Sequence, residues 1–171
     1  MNLIVTAAAG ETIGEARFGA ASYCCALGRS GILPDKIEGD GGTPVGSFAP
    51  RQVLFRRDRL KLVETPLPRR AMKLDDGWCD DPEDWNYNRQ VSLPYRAGHE
   101  KLWREDHLYD IVVVIGHNDD PVIRGKGSAV FLHLAHDDFQ PTEGCVAFKP
   151  GDLIQILAQL RAEDRVVVSL A

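Results

Sequence analysis

The stretch Phe131-Leu132-His133-Leu134-Ala135-His136, followed by a short acidic loop and then Pro141-Thr142-Glu143-Gly144-Cys145-Val146-Ala147-Phe148, decides how this chain reads. Both apolar runs have the look of strands. The first carries a histidine, and a cysteine stands twelve positions later, directly after a glycine and at the mouth of the second run. A free thiol has a pKa of about 8.5, so a nucleophilic cysteine needs an imidazole or convergent N–H groups to activate it. His133 is spaced to supply the first. Gly144 allows the sharp turn that would aim the amides of Glu143, Gly144 and Cys145 at one point. The reaction class this suggests is acyl transfer through a thioester.

The same residues admit plainer readings. A cysteine between glycine and valine is commonly a buried small hydrophobe, and a histidine in an apolar strand a satisfied core residue. Zinc ligation by His133, His136 and Cys145 is opposed by strand geometry, since positions 133 and 136 would point to opposite faces.

Outward from this stretch, Tyr109 to Gly116 is a nearly continuous apolar run, expected as a strand buried on both faces. After the cysteine, Pro150 marks a helix start, and Leu153, Ile154, Ile156, Leu157 and Leu160 give one amphipathic helix. Arg165 to Leu170 closes as a strand. Toward the N-terminus, Asn2 to Thr6, Glu15 to Ala20 and Ser22 to Leu27 read as a strand meander. Arg51 to Arg59 is expected as a further strand. Its Arg56-Arg57-Asp58-Arg59 cluster suggests a solvated edge, with a carboxylate clamp for a peptide as the functional alternative. The expected fold is mainly β, a sandwich or barrel-like domain over residues 1–171, with one helix after the nucleophile strand.

Residues 73–99 stand apart as an insertion that is too polar for a core and too aromatic for a linker. Trp78, Tyr87 and Arg89 among acids and amides suggest a substrate platform on a lid, with rings stacking on apolar faces and polar groups binding the rest. Five Asp and one Glu between 75 and 84 raise calcium as a rival, but the loop spacing of a calcium hand is absent.

The net charge of −5 gives no case for nucleic acid or an anionic membrane surface, and no run approaches the ~20 apolar residues of a membrane span. The four cysteines do not form a disulfide framework. Cys24 and Cys25 are expected in core packing, and Cys79 as a free thiol in an acidic loop.

Thr142-Glu143-Gly144-Cys145-Val146-Ala147-Phe148 after an upstream histidine, together with Glu38-Gly39-Asp40-Gly41-Gly42-Thr43-Pro44-Val45-Gly46-Ser47-Phe48, resembles the L,D-transpeptidase (YkuD-domain) family of bacterial cell-wall enzymes. The Thr-Pro-x-Gly-x-Phe and His…Ser/Thr-x-Gly-Cys elements occur in that family's order, and the resemblance spans roughly Val5 to Leu160. It implies Cys145 as nucleophile, His133 as general base and the amides around Gly144 and Cys145 as oxyanion hole, with no metal or cofactor. The implied partners are peptidoglycan stem peptides, with Thr142 and Glu143 joining the insertion residues as substrate contacts. The implied product is a 3–3 crosslink, or a 1–3 crosslink if the first L-residue of the stem is the donor. Hydrolysis of the same thioester and a non-catalytic peptidoglycan-binding module are the alternatives.

Two features depart from the family pattern. Glu143 stands where the commonest motif has a second histidine, and a carboxylate there disfavours the thiolate unless it points away or pairs with Arg124, Lys126 or a substrate amine. The residue after Cys145 is Val146, and no arginine follows at once. The family implies the periplasm or cell envelope, whereas Met1 to Thr6 lacks the basic region of a secretory signal.

Overall fold

Ile111-Val112-Val113-Val114-Ile115 is buried at every position, and its β-branched side chains favour an extended backbone with neighbours on both faces. The computed structural model describes residues 1–171. In chain order the elements are β1 (Asn2–Ala7), β2 (Ile13–Phe18), β3 (Ala21–Ala26), β4 (Ile32–Leu33), β5 (Thr43–Pro44), β6 (Gly46–Phe48), β7 (Pro50–Phe55), β8 (Arg69–Ala71), β9 (Asp76–Cys79), β10 (Gln90–Ser92), β11 (His99–Lys101), β12 (Ile111–Ile115), β13 (Phe131–Leu134), β14 (Val146–Phe148), α1 (Pro150–Leu157) and β15 (Arg165–Leu170).

Ten strands form one sheet in the order β6-β15-β1-β2-β3-β14-β13-β12-β7-β8. The pairs β1–β15, β13–β14 and β7–β8 are parallel. Phe48 on β6, at one edge, shares a buried cluster with Val53 and Phe55 on β7, beside the other edge. The sheet therefore curls around its own interior. This is the mainly β, barrel-like architecture expected from the sequence, with a single helix after the strand that follows Cys145.

Helix α1 has Pro150 in its first turn and Asp152 at its positive end. Leu153, Ile156 and Leu157 enter the core, and Leu160 packs there just beyond the helix end. Ile154 was expected on the same stripe and is instead 43% exposed. One residue past Leu153 is about 100° around the helix, off the buried face.

Alternation along β13 separates two cores. Leu132 and Leu134 point into the curled interior, while Phe131 joins Cys145, Val112, Val114, Trp78 and Tyr109 on the opposite face. Over that second face lies the insertion, folded as a three-stranded sheet in the order β10-β9-β11.

The strand expected to run to Arg59 ends at Phe55. Arg56 turns inward, only 4% exposed, with its guanidinium 3.7 Å over the Trp103 ring, two bonds to Asp58 and one to the Arg104 carbonyl at 2.6 Å. Arg59 donates to Asp110 at 2.8 Å and to the carbonyls of Glu105 and Asp106. These two arginines are neither a solvated edge nor a peptide clamp, because their donors are spent on fastening the segment that leads into β12. Gly46 serves through space: a Cβ there would lie 2.5 Å from the Phe48 ring. Of the adjacent cysteines, Cys25 is buried and Cys24 exposed, as alternation on β3 requires. Cys79 is a buried residue of β9, not a loop thiol.

Candidate active site

The parallel register of β13 and β14 pairs Leu132 with Val146 and His133 with Ala147. Cys145, one residue before β14, falls opposite Phe131, whose N–H donates to its Sγ at 3.3 Å. The thiol in turn donates to the Ala129 carbonyl at 3.2 Å. Laterally paired residues project to the same face, so Cys145 and His133 share one side of the strand pair, with the small Ala147 leaving room between β14 and the imidazole. Both side chains line one cavity of about 460 Å³.

The Nδ1 of His133 lies 2.8 Å from the carbonyl oxygen of Leu134. A carbonyl only accepts, so Nδ1 carries the ring proton and the Nε2 lone pair is free. The edge of the Tyr109 ring packs against the imidazole with centroids 5.1 Å apart. The Tyr109 hydroxyl donates to Glu100, and the Arg104 guanidinium sits 5.1 Å over the Tyr109 ring.

Burial, and then the carboxylate of Glu100, push the Cys145 thiol up to about 12, against the opposing pull of the Phe131 N–H and the Lys36 ammonium. Burial pushes His133 down to about 4. The resting pair at neutral pH is therefore a neutral thiol and a neutral imidazole.

The loop before Cys145 is fixed by two threonines. Thr142 Oγ1 donates to the Cys145 carbonyl at 2.8 Å and accepts the Gly144 N–H at 3.1 Å. Thr43 of β5 accepts the Gly28 N–H at 2.8 Å and donates to the same Cys145 carbonyl at 3.4 Å, which ties the Thr-Pro-x-Gly-x-Phe element to the cysteine. Gly144 has φ +135°, and a Cβ there would stand 2.7 Å from the Gly42 carbonyl oxygen. Of the three amides expected to converge, that of Gly144 is spent on Thr142. Those of Glu143 and Cys145 have no acceptor within the protein.

Glu143 pairs with Arg29, Nε to Oε2 2.9 Å, and both side chains are well exposed. Its partner is thus a residue of the Gly28–Gly31 turn and not Arg124 or Lys126. Because it faces solvent and is paired, the carboxylate that bears on the thiol is Glu100 instead.

Thr142, Glu143 and Gly144 line the cavity with the catalytic candidates, whereas Trp78, Tyr87 and Arg89 do not. Trp78 is 8% and Tyr87 2% exposed. The Trp78 ring packs edge-on to Phe131 and donates its N–H to Asn88 at 2.9 Å; the Tyr87 hydroxyl donates to Glu38 and accepts the Gly127 N–H. Rings held this way present no face for stacking. Arg89 is exposed outside the cavity. The insertion's own contributions to the wall are Asp80 and His99, with Glu100 following directly after it.

Sequence reasoning passed over Lys36, Glu38, Asp80, Glu100 and Tyr109, all of which line the cavity. Glu38, Asp80 and Glu100 form an acidic side: burial and the charge of Glu38 raise the Asp80 carboxyl, and burial raises Glu100 with Asp80 and Glu38 adding to the effect. Glu38 was visible as the start of the glycine-rich stretch. Glu100 carried no signal, because it sits on a three-residue strand without pattern.

Two comparisons with known proteins give matches. Among solved structures the chain is similar to L,D-transpeptidase 1 of Mycobacterium tuberculosis, at 14% identity and a TM-score of 0.42, over 99% of this chain and 62% of that one. The chain thus spans less than two thirds of that protein's length. No curated protein matches it. The family model described as the L,D-transpeptidase catalytic domain, YkuD, matches residues 4–168. A match that leaves out only three residues at each end shows that the chain belongs to the YkuD L,D-transpeptidase catalytic-domain family.

Proposed function

We propose that this chain is a cysteine acyltransferase acting on peptidoglycan stem peptides in the cell envelope. The observation that carries the proposal is that one cavity holds both the Cys145 thiol and an imidazole whose Nδ1 is committed to Leu134 and whose Nε2 is free. In the acylation step Nε2 of His133 takes the thiol proton as Sγ attacks the carbonyl carbon of an L-residue. The developing oxyanion is met by the uncommitted amides of Glu143 and Cys145. The imidazolium then returns the proton to the departing amine, which leaves a thioester on Cys145. An acceptor amine attacks that thioester and gives its proton to Nε2, and Cys145 leaves as the thiol once that proton is returned. No metal or cofactor enters these steps.

The acidic side of the cavity favours an amine acceptor over water, since Glu38, Asp80 and Glu100 attract an ammonium group. It also suits the free amine of a diamino-acid donor. The insertion at 73–99, which supplies Asp80 and His99 to the wall, acts as the lid of the cleft. The product is a 3–3 crosslink when the third stem residue donates its carbonyl and a 1–3 crosslink when the first does. Thr142 and Glu143 flank the path of the acceptor.

Product analysis with an isotope-labelled acceptor tests this reading. Label recovered in a crosslinked dimer, with the donor position given by fragmentation, supports transpeptidation. Unlabelled, shortened stems alone mean that the enzyme is a carboxypeptidase or amidase, and stem binding without any product means a binding module.

A further inference from the structure

A buried lysine reaches the reaction centre by a path that two glycines keep open. Lys36 is only 8% exposed and lines the same cavity as Cys145. A Cβ on Gly127 would lie 2.9 Å from the Lys36 Cγ, and a Cβ on Gly144 would lie 3.7 Å from its Nζ. Both glycines have positive φ, +95° and +135°, so the backbone on either side of the lysine excludes side chains twice over. The ammonium is pinned by Asp40 and by the Ile37 carbonyl at 3.1 Å. Asp40 is itself fixed by the N–H groups of Ile37 and Gly42, each at 2.8 Å.

Resting on the acyl-transfer reading above, we infer that Lys36 is the fixed positive charge of this reaction centre, held by Asp40 beside Gly144 so that negative charge forming on Cys145 Sγ or on an attacked carbonyl oxygen is stabilised. Burying an ammonium is costly unless it is paired, and Asp40 offsets that cost. Asp40 also sets the field, because its negative charge cancels part of what Lys36 exerts on the thiol. The other titratable or charged groups lining the cavity are His133 on β13 and His136 after it, His99 and Glu100 on β11, Asp80 after β9, Glu38, Tyr109 before β12 with Arg104 over its ring, and Glu143 paired to Arg29. His133 is neutral and Glu100 opposes the thiolate. Lys36 is the cation that favours it.

The test is the pH dependence of Cys145 alkylation by iodoacetamide, followed peptide by peptide in a Cys24→Ser background so that the exposed thiol does not interfere. It needs no stem peptide, so it stands or falls apart from the transpeptidase reading. Lys36→Met keeps the apolar stem and removes the charge, and it is expected to slow alkylation near pH 8 by about tenfold, the equivalent of one pKa unit. Asp40→Asn keeps an acceptor for the ammonium and removes the opposing charge, and it is expected to speed alkylation. Opposite shifts cannot come from simple loosening of the loop. Unchanged profiles, or shifts in the same direction, overturn the inference. If Lys36→Met does not fold, Asp40→Asn alone decides: faster alkylation supports the role, and equal or slower alkylation removes it.

Discussion

His133 and Tyr109 meet edge to face, ring centroids 5.1 Å apart, while Nδ1 of the same imidazole is bonded to the Leu134 carbonyl. The ring is thereby held in one orientation and one tautomer, with Nε2 left without a partner in the protein.

A neutral buried histidine has a pH consequence. His133 is pushed down to about 4 by burial, against an ordinary 6.5. Its folded-state value lies below its unfolded one, so the stability linked to it is full above about pH 6.5 and is lost as pH falls toward 4. Asp80 and Glu100, both raised, act in the opposite sense. The expected outcome is that wild type loses about 2–3 kcal/mol more than His133→Gln between pH 7 and 4, read from urea unfolding at each pH. The acylation rate should fall by about 10²–10⁴-fold in His133→Gln.

Glu100 and Glu143 should separate cleanly. Glu100 raises the thiol, so Glu100→Gln is expected to lower the pH at which Cys145 alkylates. Glu143 is exposed and paired with Arg29, so Glu143→Gln should leave that profile unchanged and cost less than about 1 kcal/mol of stability. Iodoacetamide rate profiles with thermal melting check both.

Gly144→Ala meets two obstacles, φ +135° and the Gly42 carbonyl 2.7 Å from the new Cβ. Strain of about 1–3 kcal/mol is expected, seen as a lowered melting temperature, together with loss of acylation as the Cys145 amide shifts.

On α1, Leu153→Ala should cost about 2–5 kcal/mol, since the side chain is fully buried. Ile154→Ala, at a half-exposed position one residue away, should cost under about 1 kcal/mol. Chemical denaturation of the two variants tests the placement of the helix face.

What the sequence made legible was what local periodicity encodes. The alternation of Phe131, Leu132, His133 and Leu134 and the glycine before Cys145 fixed the strand pair and the thiol's position. The insertion was harder to read, because its acids and aromatics satisfy one another. Asp76 accepts from Arg70, Gln90 and the Lys73 N–H, Asp84 from Tyr95 and the Asn86 N–H, and Trp78 and Tyr87 turn inward to Asn88 and Glu38. Side chains engaged in this way resemble a binding surface in one dimension and a small folded sheet in three. Lys36, Glu100 and Tyr109 reach the thiol from three separate segments. No local pattern marks residues whose common neighbour is set by the curl of the sheet.

The most direct measurement is intact-protein mass spectrometry after incubation with a disaccharide-tetrapeptide, with Cys145→Ala alongside. The expected result is a mass increase equal to the acyl part of the stem, mapped to Cys145, absent from the variant and discharged by an acceptor amine. A wild-type protein that stays unmodified while it binds the stem would contradict a nucleophilic Cys145.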